Sequence, residues 1–157
     1  MVAYFRKVIV VIIIFIGFKE DGLCHEFSEL NRLDVAPISK WFHLAQVTLT
    51  PASFIKNKDT FTASYSAQVI PFSYYNETGI LSIPVSEIDL VKFLNQKKFS
   101  FRGNAIREGS KTRLIKGEVI PKTASSGNIH IKIYYNRLIT LTFDTTYTLP
   151  LAKTKQN

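Results

Sequence analysis

Residues 61–69 read Phe-Thr-Ala-Ser-Tyr-Ser-Ala-Gln-Val. Phe61, Ala63, Tyr65, Ala67 and Val69 alternate with Thr62, Ser64, Ser66 and Gln68. A β-strand turns successive side chains to opposite faces, so a sustained period of two predicts a strand with one buried face. A helix would scatter the same residues around its girth.

The flanking sequence repeats this pattern. His43 to Thr50 reads as a strand ended by Pro51, and 51–59, with Lys56, Asn57, Lys58 and Asp59, as a solvated turn. Asn76-Glu77-Thr78-Gly79 reads as a turn into a short strand, Ile80 to Val85, and Pro84 predicts that this strand lies at a sheet edge. Ser86 with Asp89 fits a capping box. Ile88, Val91 and Leu94, widened by Leu90 and Phe93, form the apolar stripe of a short helix closed by Lys97 and Lys98.

A meander follows. Phe99 to Arg107 turns at Glu108-Gly109-Ser110 into Thr112 to Pro121, which turns at 124–128 into Ile129 to Tyr135, then Leu138 to Leu149. Ile129, Ile131, Ile133 and Tyr135 share a face, as do Ile139, Leu141, Phe143, Tyr147 and Leu149. About seven alternating strands with one helix predict a mainly β fold, an antiparallel sandwich or small barrel.

The N-terminus has another character. Arg6 and Lys7 precede an unbroken apolar run, Val8 to Phe18. That run is shorter than the roughly 17–25 residues of a spanning helix, so a signal peptide over 1–24 is expected, with a short membrane anchor as the alternative. Gly22-Leu23-Cys24 supplies small residues for cleavage before His25, despite Lys19, Glu20 and Asp21. Cys24, the only cysteine, fits a lipoprotein site poorly, because Leu23 precedes it and Asp21 stands at the apolar place. Cleavage would leave no disulfide in a compartment that permits one. The expected organisation is a signal segment 1–24, an irregular lead-in 25–40 broken at Pro37, one β domain 41–150 and a disordered tail 151–157. The protein is expected to be exported: periplasmic, envelope-associated or secreted.

The chain carries a net charge of +8. That suits solubility or an anionic partner, such as a lipid headgroup or glycan of the cell envelope; an envelope protein is the other partner class considered. Export argues against nucleic acid, and membrane contact is expected only through 1–24 if uncleaved.

Motifs for chemistry are sparse. His25, His43 and His130 have no metal-pair spacing, and no cofactor or metal signature accompanies them. There is no GxSxG, and Ser125-Ser126-Gly127 reads as hairpin-turn chemistry. Asp144, in Phe143-Asp144-Thr145-Thr146-Tyr147, points outward and reads as an edge charge or a ligand contact. Glu118 is placed to pair with Arg102 or Arg113. Cations crowd 97–122, but Arg102 points outward while Arg107 shares the inward parity of Phe99 and Phe101, so they form no single patch. Lys111 and Arg113 flank a hairpin turn. Arg102, Lys116 and Lys132 on successive strands form a smaller outward stripe; with His130 and Asp144 they are the candidate contacts for a ligand or polyanion. Asn76-Glu77-Thr78 is a glycosylation tripeptide in a turn.

No family motif stands out. The sequence favours an exported, non-catalytic β domain that binds or scaffolds in the envelope. The alternative is a β-barrel carrier of a small apolar ligand, with Phe61, Tyr65, Phe99, Phe101, Phe143 and Tyr147 lining its interior. A hydrolase assembled across strands comes last, since whether the chain is an enzyme rests on contacts sequence alone does not place.

Overall fold

The computed structural model describes residues 30–109 and 111–150. The signal segment, the cleavage region, His25 and the tail 151–157 lie outside the described residues. Among the described residues ten strands and one α-helix follow in chain order: β1 (Arg32–Val35), β2 (Ile38–Phe42), β3 (Ala45–Pro51), β4 (Phe54–Asn57), β5 (Thr60–Ile70), β6 (Glu77–Pro84), α1 (Glu87–Leu94), β7 (Phe99–Arg107), β8 (Thr112–Pro121), β9 (Ser126–Tyr134) and β10 (Thr140–Thr148).

Every pairing is antiparallel, and the sheet closes on itself. From β5 it runs through β4, β1, β10, β9, β8, β7 and β6 and returns to β5, a closed barrel of eight strands. Two of the eight staves are bent. Pro37 separates β1 from β2, and Ala52-Ser53 separates β3 from β4. Backbone bonds hold the bends in the wall: Ala36 N–H donates to Thr146 O at 3.0 Å and Ala52 N–H to Ser64 O at 2.8 Å. Beyond its bend β2 pairs with β3 and runs beside β10 without a ladder; there the Lys40 ammonium donates to Thr142 O at 3.0 Å, satisfying a carbonyl the ladder leaves open.

Several expectations are corrected. The stretch taken as an irregular lead-in to residue 40 contains β1 and the start of β2. The turn 51–59 contains β4, and Glu77 opens β6 rather than closing a turn. β6 is not an edge: β5 pairs along its whole length and β7 along Gly79–Ser82. Pro84 is tolerated because it lies past the last β7 partner, where no donor is needed. Asp144 stands on a stretch of β10 that is laddered to β9 on one side while β2 runs alongside unpaired on the other; the β1 ladder begins only at Tyr147.

Inward parity builds the core. Phe61, Ala63 and Tyr65 of β5, Ile115 and Val119 of β8, Ile129 and Ile133 of β9, and Phe143 and Tyr147 of β10 are all buried. Large rings fit because glycines oppose them. Phe101 faces Gly117 across β7–β8, and Tyr65 faces Gly79 across β5–β6. A Cβ on Gly117 would sit 2.3 Å from the Phe101 ring, so only glycine admits that close approach.

The helix closes one end. Ser86 caps it, accepting from Asp89 N–H at 3.2 Å while its hydroxyl donates to the Asp89 carboxylate at 2.7 Å. That bond chiefly holds the Asp89 carboxyl below its ordinary range. Leu90 is buried, and Phe93 packs against Phe99 and Tyr147 with ring centroids 6.0 and 5.4 Å apart. Ile88, expected on the apolar stripe, faces solvent. The β4–β5 and β8–β9 turns share this closed end. The β2–β3, β5–β6, β7–β8 and β9–β10 connections gather at the other, because an up-and-down meander alternates its turns between two ends.

Candidate functional site

The barrel interior is divided into two chambers. The inner one, about 80 Å³, lies above α1 among Leu90, Phe93, Phe99, Val119 and Tyr147. The outer one, about 460 Å³, opens among the turns at the other end. Leu49 and Leu81 border both. Val47, Ala67, Ile133, Leu141 and Phe143 give the outer chamber apolar walls.

One side of that wall is charged. Glu77 begins β6 with the inward parity of Leu81 and Ile83, and Arg113 on β8 has the parity of Ile115 and Val119. Their side chains are 6% and 8% exposed and form a buried ion pair. Tyr65 OH donates to the same Glu77 oxygen, Oε1, at 3.0 Å. The Arg113 guanidinium lies 4.1 Å from the centre of the Tyr135 ring. Burial works against the Arg113 charge, yet the hydrogen bond and charge of Glu77 outweigh it and raise its pKa. Burial, reinforced by the Glu77 carboxylate, pushes the Tyr65 phenol well above its ordinary range. Glu77 Oε2 is buried and accepts no hydrogen bond among the described residues; Arg107 Nε stands 3.8 Å from it. The chamber therefore carries the Arg113 guanidinium against the Glu77 carboxylate just inside its mouth, with Arg107 reaching Glu77 from outside the lining.

The candidate contacts named from sequence lie elsewhere, on the outer wall. Arg102 pairs with Lys116, and Lys116 with Lys132, so the three cations form one row across β7, β8 and β9. None of them is in an ion pair among the described residues. Lys116 Nζ lies 5.3 Å from the Tyr134 ring centre. The neighbouring row brings His130 opposite both Glu118 and Asp144. His130 Nδ1 is 2.6 Å from Asp144 Oδ1. Among the described residues no hydroxyl bonds to the other ring nitrogen. Glu118 pairs with Lys98 at 2.8 Å, not with Arg102 or Arg113. Arg113, which the sequence places only beside a hairpin turn, is drawn inward by its parity.

Sequence reasoning missed the Glu77–Arg113 pair. The signal was present in the parity of both residues with apolar neighbours, but each stands beside a turn, where charge reads as solvated. His43 stands at the chamber mouth in the β2–β3 turn, apart from His130. Among the described residues no group of three metal-ligating side chains assembles, and no helix is long and apolar enough to cross a membrane. Set against known proteins, the chain matches no family model, no curated protein and no solved structure.

Proposed function

We propose that this chain is a carrier that holds one small apolar or amphipathic ligand in the outer chamber of its barrel. The observation that carries the reading is the chamber itself: about 460 Å³, apolar-walled and open at one end, in a barrel closed at the other by α1. Ligand pockets of roughly 300–1,000 Å³ with a few converging polar groups are the usual form of small-molecule sites. Eight-stranded barrels have an interior of the right width for one such ligand. The Arg113, Glu77 and Tyr65 side chains would orient a polar end near the mouth while the remainder lies against Leu141 and Phe143. An exported setting, suggested by the basic-then-apolar N-terminus, fits a protein that moves a poorly soluble molecule through water. A scaffold that only presents its outer surface has no use for an internal space of this size.

The test is native mass spectrometry of protein recovered from the cells that make it, paired with titration of a fluorescent naphthylamine dye. A releasable small molecule and saturable, one-to-one dye binding are expected. A chain that carries nothing and binds no dye overturns the carrier reading and returns attention to the outer wall.

A further inference from the structure

The open end of the barrel is ringed by apolar side chains that the fold does not bury. Leu44 in the β2–β3 turn is 79% exposed, Tyr74 in the β5–β6 connection 71% and Leu138 in the β9–β10 turn 95%. Trp41, two residues before the tight β2–β3 turn, is 63% exposed. These residues come from three separate connections, joined only by the end of the barrel they share. Isolated exposed apolar residues are ordinary, but a set gathered around one opening marks an interaction surface.

We infer that this rim docks on an anionic lipid bilayer, with the chamber mouth facing the membrane. The residue types support a bilayer. Trp and Tyr, each with an apolar body and a polar tip, suit the headgroup level of a membrane, and leucines at loop tips suit the layer beneath. Charge supports an anionic one. Arg137 adjoins Leu138, and Lys111 stands in the β7–β8 connection at the same end of the barrel; neither is in an ion pair among the described residues. The rim carboxylate Glu108 is engaged by the Thr78 hydroxyl at 2.9 Å. Cations flanking apolar tips match a negative leaflet. Shape supports a planar partner, since the tips encircle the opening. A membrane at that position would exchange ligand with the chamber directly. This use rests on the carrier reading; the docking itself does not.

The chain reports on this surface without labelling, because Trp41 is its only tryptophan. The experiment mixes the full chain with vesicles of phosphatidylglycerol and phosphatidylcholine carrying brominated acyl chains, and follows Trp41 emission. A blue shift with bromine quenching is expected, weaker on phosphatidylcholine alone and weaker in high salt. The paired variant Leu44→Glu with Leu138→Glu changes no core residue, so it should keep the parent melting temperature and lose about tenfold or more in vesicle affinity. Vesicle binding with Trp41 emission unchanged would overturn the inference, because another part of the chain would then hold the membrane. Quenching that survives the paired variant, or is equal on neutral vesicles, would overturn it too. A blue shift that grows with protein concentration and needs no vesicles would assign the rim to a second copy instead. Dye binding to the chamber, read separately, keeps the outcome for docking distinct from that for carriage.

Discussion

At the scale of single residues, Arg113 shows how strongly parity governs a side chain on a barrel wall. Its position beside a turn argues for solvent, but its alternation with Ile115 and Val119 turns it inward, where Glu77, with the Tyr135 ring beside it, makes its burial tolerable. Removing one partner of a buried pair strands the other charge, which typically costs 3–5 kcal/mol, whereas replacing both with apolar groups is far milder. Arg113→Ala should therefore lose about 3–5 kcal/mol of unfolding free energy. Combining Arg113→Met with Glu77→Leu should recover most of that loss, and denaturant titration of the cycle measures both. Tyr147 carries a second residue-scale prediction. Burial raises its phenol from 10.0 to about 12, so the unfolded chain releases that proton first as pH rises. The contribution of Tyr147 to stability is complete below pH 10 and is lost progressively between 10 and about 12. Tyr147→Phe should flatten the alkaline fall in denaturation free energy relative to the parent while leaving the neutral range little changed.

At the scale of elements, alternation in residues 61–69 identified β5, and capping chemistry located the start of α1. The stripe on α1 was harder to read, because Ile88, Leu90, Val91, Phe93 and Leu94 cover too much of an eight-residue helix to single out one face. The barrel end selects Leu90 and Phe93, since Leu90 is buried there and Phe93 meets Phe99 and Tyr147 above the helix. Leu90→Ala should cost about 2–5 kcal/mol, and Ile88→Ala little, in parallel thermal melts. Equal losses would place the packing on the wrong face. The bent staves were illegible for another reason. β1 and β4 are four residues each, too short to display a period, and they exist because neighbouring strands pair with them.

For the molecule as a whole, closure is the decisive event. The β5–β6 pairing joins the first staves to the last and closes the wall, with β2 lying beside β10 without a ladder. Closure also creates the chamber, so the space itself can be tested. Ala67 lines it and does not border the inner chamber. Ala67→Phe fills a void instead of displacing packed atoms, so its melting temperature should stay near the parent value. Affinity for the naphthylamine dye should fall by about tenfold or more. A variant that binds dye as the parent does would place the bound dye outside the chamber.

The sequence by itself determined which residues of the long strands face inward, where the helix begins, and that the described chain folds as one mainly β unit. Each of these rests on contacts between near neighbours along the chain, which a period or a cap records. Tertiary structure decided the choice of barrel over sandwich, the pairing of Glu77 with Arg113, and the apolar ring at the mouth. Those depend on register between strands far apart in sequence. A shift of one residue in any of them would exchange inside for outside, and local alternation alone carries no record of register.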